Sequence, residues 1–218
     1  MSEAFSVFLN KSFLTGQNPA RVSITEGVHL DLGCGTRPHN PYGKSKICGV
    51  DIRPLSVVGT DEIKCANLAV EKIPFDSDQF DSVSAFDFLE HIPRILSSAD
   101  GKSTINPFIT LMNEIWRVLK PGGRFYALTP CYPSRAAFQD PTHVNILTDT
   151  THDYFTGAEP LGRMYGFTGS FRVITAEWTI PELVQTSTKL SLRQEMSRKR
   201  RAKRGALSYF LWDFEAQK

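Results

Sequence analysis

The chain has 218 residues, 25 Lys/Arg against 23 Asp/Glu, 41% hydrophobic and 22% charged residues. That is enough for one sizeable core with little room for a second, in the composition of an ordinary globular protein, which excludes fibrous and disordered classes. No apolar run reaches membrane-spanning length and no basic stretch precedes an apolar block near Met1; the four scattered cysteines (Cys34, Cys48, Cys65, Cys131) form no C-x-x-C pair, so the expectation is a cytoplasmic protein without disulfides or a metal.

In chain order, Phe5, Phe8, Leu9, Phe13 and Leu14 predict a short amphipathic helix over Ala4–Leu14, broken by Asn18-Pro19. Val28–Leu32 reads as a first strand and Ile47–Asp51 as a second; the segment 36–46 between them holds two prolines and a glycine, which argues against a long helix. Glu62–Cys65 is a short third strand, Phe80–Phe86 a fourth, and Leu89–Ile92 opens a helical turn. Asn106–Leu119 carries Phe108, Leu111, Met112, Ile115, Val118 and Leu119 on one helical face, stopped by Lys120-Pro121-Gly122-Gly123. Arg124–Thr129 is a fifth strand, 131–150 a polar loop, His152–Phe155 a short helix and Phe171–Ile180 an alternating strand. Residues 187–204 are polar and basic, with Arg193, Arg198, Lys199, Arg200, Arg201, Lys203 and Arg204 against Glu195, so the rest of the chain is mildly acidic. The apolar finish from Ala206 to Trp212 must pack on this molecule or on a neighbour.

Two places carry chemistry. The first strand runs into Asp31-Leu32-Gly33-Cys34-Gly35-Thr36, and the second ends on Val50-Asp51-Ile52. Glycine at 33 and 35 lets bare backbone approach a ligand, and an acid ending the next strand can accept hydrogen bonds from ribose hydroxyls. A third glycine for a dinucleotide fingerprint and the lysine of a P-loop are both missing, so a nucleoside without a phosphate chain suits these residues.

These residues, followed in order by Cys65-Ala66-Asn67-Leu68, Ile73-Pro74-Phe75, Phe80–Ala85, Leu89-Glu90-His91-Ile92 and Glu114–Arg124, resemble the class I S-adenosylmethionine-dependent methyltransferases over about Val28–Pro130. Arg37-Pro38, where many members have glycine and a full helix, and Asp140-Pro141-Thr142-His143 are similar to a bacterial subset with a short proline-rich loop. The resemblance implies an α/β fold: a Rossmann-like, seven-stranded sheet, mostly parallel with one antiparallel strand, and helices on both faces. It implies one methyltransferase domain: an N-terminal helical extension (1–20), a cofactor-binding core (25–130), substrate-side loops and last strands (131–186) and a basic/apolar C-terminal tail (187–218).

The implied cofactor is S-adenosyl-L-methionine. Asp51 takes the ribose, with Ile52 beside it; Asp31 contacts the methionyl amine or caps turn amides; Gly33, Cys34 and Gly35 form the turn, Cys34 as a small residue that fits. Ala66, Asn67 and Leu68 lie at the adenine edge, with Asn67 as a plain turn residue the alternative. Ala85, Phe86 and Asp87 face the methionine part, or pack in the core. His143 is the general-base candidate with Asp140 to orient it; the alternative is an Asx-type turn with His143 as loop anchor. Tyr132, Arg135, Asn145 and Tyr154 are substrate-pocket candidates. The expected acceptor is a hydroxyl of a small molecule or saccharide. The rival readings are a non-catalytic binding subunit and an RNA or protein methyltransferase using the basic tail. The tail also fits a polyanion, an anionic membrane surface with Tyr209–Trp212 as its foot, or a protein partner; the oligomeric state stays open, a homodimer included.

Overall fold

The computed structural model describes residues 24–98, 100–181 and 192–218. The helix expected over Ala4–Leu14 and its break at Asn18-Pro19 lie outside the described residues, as does the start of the basic segment. Strands β1 (Thr25–Leu32), β2 (Lys44–Asp51), β3 (Glu62–Cys65) and β4 (Phe80–Phe86) come first. A two-residue pair, β5 (Leu96–Ser97) and β6 (Thr104–Ile105), precedes helix α1 (Pro107–Val118), the long β7 (Leu119–Pro130) and the one-turn α2 (Ala136–Gln139). Then follow β8 (Phe171–Thr179), α3 (Leu192–Lys203) and β9 (Tyr209–Ala216).

The main sheet has the order β3-β2-β1-β4-β7-β9-β8. Strands β1 to β4 and β7 pair parallel with one another, and β9 runs antiparallel to both β7 and β8. This is the expected seven-stranded, mostly parallel, Rossmann-like sheet with one antiparallel strand, and helices lie on both faces. The chain steps outward from β1 through β2 to β3, then returns to β4 on the other side of β1. The crevice beyond the carboxyl ends of β1 and β4 is therefore the switch point where such sheets bind ligands. Burial agrees: the last four residues of both β1 and β2 are buried, while their first residues are not.

The helical periodicity of α1 buries Phe108, Leu111, Met112, Ile115 and Val118, and Pro107 starts it where no intrahelical N–H is needed. The expected stop at Lys120-Pro121-Gly122-Gly123 falls inside β7. It shows there as a shift of register between Phe80↔Leu119 and Ser82↔Arg124, with Gly122 at φ +74°. The C-terminal apolar segment packs inside this molecule: β9 fills the gap between β7 and β8, and Phe210, Leu211 and Trp212 are buried. Those side chains are thus unavailable as a membrane foot, and 187–218 is no uniform tail. Among the described residues, α3, with no buried residue, is its basic surface element; Arg198 pairs with Glu177 of β8. Among the described residues no helix is long and apolar enough to cross a membrane.

Candidate functional site

Parallel register sets Leu32 beside Val50 and Asp51 beside Cys65, so the ends of three strands converge. The turn after β1 is closed by the Gly33 and Cys34 amides, both donating to the Val50 carbonyl at 2.8 and 3.2 Å. Gly33 sits at φ +67°, and a Cβ there would lie 2.5 Å from Cδ2 of Phe88. Glycine is therefore demanded twice, by conformation and by the ring packed over it. The Cys34 thiol is wedged against Gly49, and burial together with the charges of Asp31 and Asp51 pushes it up to about 12. It is a small packing residue and no nucleophile.

Asp51 is buried, and both its oxygens are engaged. Oδ2 accepts from the Gly35 amide at 2.9 Å and from Arg53 Nη2 at 3.2 Å; Oδ1 accepts from the Arg53 amide at 3.0 Å and from Arg53 Nε at 2.9 Å. These bonds outweigh burial and hold its carboxyl below the usual range. Asp51, Gly33, Ile52, Ala66, Asn67 and Leu68 line one cavity of about 310 Å³. Six of the twelve expected cofactor residues are thus brought together. Val50, Arg53, Ala69, Phe88, His91 and Ile92 complete the wall, and sequence reasoning gave neither Arg53 nor Phe88 this place. The signal for Arg53 was its position two after the acid, where a side chain on the same edge can return to it. Asn67 Oδ1 accepts from the Ala69 amide at 3.1 Å, so this residue shapes its turn as well as lining the cavity.

The other six lie behind or beside that wall. Asp31 is 1% exposed and takes the capping role: Oδ2 accepts from the His39 amide at 2.8 Å and Oδ1 from Ser84 Oγ at 2.5 Å. Its lone pairs serve a buried chain that continues through Ser84 to His29 Nε2, 2.8 Å away, and from His29 Nδ1 to Ser82, 2.7 Å away. Ala85 is fully buried core. Phe86 is stacked between His39, with centroids 4.1 Å apart, and Tyr126, 5.6 Å apart. The proline-bearing loop thereby lays His39 across the end of β4. Asp87 follows at φ +46°, with its carboxylate bonded by Tyr209. Gly35 and Cys34 support the turn from behind, outside the cavity wall.

The Asp140–His143 element takes the form of the alternative reading. Asp140 Oδ1 accepts from the Thr142 amide at 2.7 Å and from Thr142 Oγ1 at 2.6 Å, an Asx turn; it does not orient the His143 ring. His143 Nδ1 instead lies 3.3 Å from the Ala137 carbonyl, and Nε2 lies 4.0 Å from Glu90 Oε1. Glu90 is 1% exposed. Oε2 accepts from Thr129 Oγ1 at 3.1 Å, Oε1 has no partner, and burial helped by the charge of Asp87 pushes the carboxyl up to about 8. The partner facing His143 is therefore Glu90, distant in sequence and reached only by folding. Among the substrate-pocket candidates, Asn145 is buried and braces Leu89 and Arg94, Tyr154 lines a second cavity of about 450 Å³, and Tyr132 and Arg135 are exposed.

Residues 30–127 match a family described as a methyltransferase domain. The sterol 4-C-methyltransferase of Caenorhabditis elegans is 31% identical over 121 residues, 48% of this chain and 32% of that protein, so the chain spans about a third of the length of this curated relative. Among solved structures, a complex of a Haloferax volcanii methyltransferase activator and a methyltransferase aligns with TM-score 0.55 at 16% identity, covering 91% of this chain and 86% of the other. A SAM-dependent methyltransferase from Archaeoglobus fulgidus aligns with TM-score 0.52 at 15% identity, covering 86% and 85%. The [4+2]-cyclase SpnF aligns with TM-score 0.51 at 15% identity, covering 90% and 76%. Sheet order, the glycine turn and these matches together show that the chain has the class I S-adenosylmethionine-dependent methyltransferase fold, with the likeness to a methyltransferase domain confined to residues 30–127.

Proposed function

We propose that this chain transfers a methyl group from S-adenosyl-L-methionine to a hydroxyl oxygen of a small molecule or saccharide. One observation carries the reading: a buried carboxylate, Asp51, lines a cavity beside a glycine turn where β1 and β2 end. The lining suits an adenosyl group. Asp51 would hold ribose hydroxyls, Ile52 and Leu68 would cover the ring, and Asn67 would meet its edge. The cofactor, when bound, supplies an electrophilic methyl on sulfur; the protein has to orient an oxygen toward it and keep water away. Nε2 of His143, which faces Glu90 beside the cavity-lining His91, is the candidate base for that oxygen.

The second cavity supports a polar ringed acceptor. It is lined by Phe108, Phe155, Tyr154 and Tyr165 together with Thr148, Thr150, Thr151 and Arg94. Aromatic faces with hydroxyls and one cation suit a sugar or phenol better than a sterol. The chain segment 91–95 links the two spaces, His91 and Ile92 lining the first, Arg94 and Ile95 the second. The likeness to a cyclase means that the fold does not by itself dictate methyl transfer.

Calorimetry with S-adenosylmethionine and S-adenosylhomocysteine tests the reading. The intact protein is expected to bind both, and Asp51→Ala to lose affinity by about tenfold or more, the worth of one or two charge-assisted hydrogen bonds. His143→Ala is expected to slow turnover while leaving that affinity in place. An intact protein that binds neither compound is a non-catalytic partner subunit.

A further inference from the structure

We propose that Glu90, His91 and His143 form a binding site for one divalent transition-metal ion, a site that the linear spacing of the sequence conceals. One ligand atom from each of the three lies within 4.8 Å of the other two. The hydrogen bonds around the two imidazoles point to Nε2 as the available ligand atom of each. His91 Nδ1 lies 3.3 Å from the Thr142 carbonyl and 3.0 Å from Thr142 Oγ1, and His143 Nδ1 lies 3.3 Å from the Ala137 carbonyl. A carbonyl only accepts, so each Nδ1 carries the proton and each Nε2 keeps a lone pair. Metal-binding histidines are commonly oriented in this way, their second nitrogen donating to a backbone carbonyl. Glu90 is held likewise: Oε2 accepts from Thr129 Oγ1, and Oε1, wholly buried, has no hydrogen-bond partner and faces His143 Nε2 at 4.0 Å.

A buried carboxyl oxygen without a partner, facing an imidazole lone pair, has to be neutralised by a proton or by a cation that takes both lone pairs. The two histidines converging on it with Glu90 favour the cation. The backbone already ties the parts together, since the amides of Val144 and Asn145 both donate to the Glu90 carbonyl at 2.9 Å. Donor atoms around such an ion stand about 3–3.5 Å apart, given bonds of about 2.1 Å. Binding thus requires a contraction of about 1 Å, within reach of side-chain rotation. Two imidazoles and one carboxylate select zinc, iron(II), manganese or cobalt over calcium or magnesium, which prefer oxygen, and three protein ligands leave positions open. His91 also lines the cavity that holds Asp51. On the methyl-transfer reading above, the open positions would take the acceptor's oxygen, and His143 then acts as a ligand in place of a base.

The test uses the full chain stripped with a chelator. Titrated with cobalt(II), it is expected to take up one equivalent with ligand-field absorption of bound imidazole, and zinc is expected to compete. Glu90→Gln and His143→Ala are each expected to weaken cobalt binding about tenfold or more while keeping a cooperative melt; should His143→Ala fail to fold, His91→Asn replaces it. No cobalt uptake by the intact chain, or uptake unchanged in Glu90→Gln and its partner variant, overturns the proposal. S-adenosylhomocysteine binding is measured on the same samples. Metal uptake without it sinks the methyl-transfer reading alone, and its presence without metal uptake sinks the metal site alone.

Discussion

Arg53 shows how much a single residue decides at this site. Its guanidinium grips Asp51 at 2.9 and 3.2 Å while the side chain itself is 62% exposed. Ribose hydroxyls approaching Asp51 must therefore share or displace that pair. An exposed ion pair of this kind is worth about 0.2–1 kcal/mol. Arg53→Ala is accordingly expected to bind S-adenosylhomocysteine up to about fivefold more tightly, since it removes a competitor and leaves the carboxylate. Weaker binding by calorimetry would show that Arg53 helps to hold the ligand. At this scale the sequence was legible where chemistry is local. Glycine turns and a strand-ending acid are visible in six residues. The engagement of Asp31 with His39 and Ser84, and the meeting of Glu90 with His143, were not, because their partners arrive from separate elements.

Among the elements, β9 carries the clearest consequence. Alternation buries Phe210, Trp212 and Phe214 on one face and Leu211 lies buried on the other, while its backbone pairs on both edges, Trp212 lying opposite Ala127 on one side and Ala176 on the other. Removing it would bare the edges of β7 and β8 and empty the space of a fully buried tryptophan, where loss of that side chain alone costs about 3–5 kcal/mol. A chain ended at Gly205 is expected to give no cooperative melt by circular dichroism. Arg200→Glu with Lys203→Glu, both exposed on α3, should melt as the intact protein does, surface changes of this kind amounting to about 0.5 kcal/mol or less. If the shortened chain melts normally, β9 is dispensable and its place in the sheet has been misjudged. The segment's apolar character was readable; its destination was not, because an apolar strand pairs equally well with a partner's edge until the register of β7 and β8 is known.

For the molecule as a whole, His29 links the site to stability. It is fully buried between Ser82 and Ser84 on the neighbouring strand, and burial pushes its imidazole down to about 3 from 6.5. The unfolded chain binds a proton at 6.5 that the folded chain refuses until about 3. Stability is thus fully present above pH 6.5 and falls as pH drops through that window, by up to about 1.4 kcal/mol per unit. Denaturant melts from pH 7 to pH 4 are expected to show that slope, and His29→Gln, less stable at pH 7, should flatten it; an equal slope in both proteins would assign the loss to other groups. The sequence alone determined the first four strands and their succession along the chain, the amphipathic helix, the nucleoside-suited turn and the resemblance to methyltransferases, because hydrophobic period and turn chemistry are written in neighbouring residues. The tertiary structure decided which lone pairs are already spent, at Asp31 and Asp51, and which remain, at Glu90, His91 and His143. Hydrogen bonding between distant segments is settled only when the sheet brings them within about 3 Å of one another.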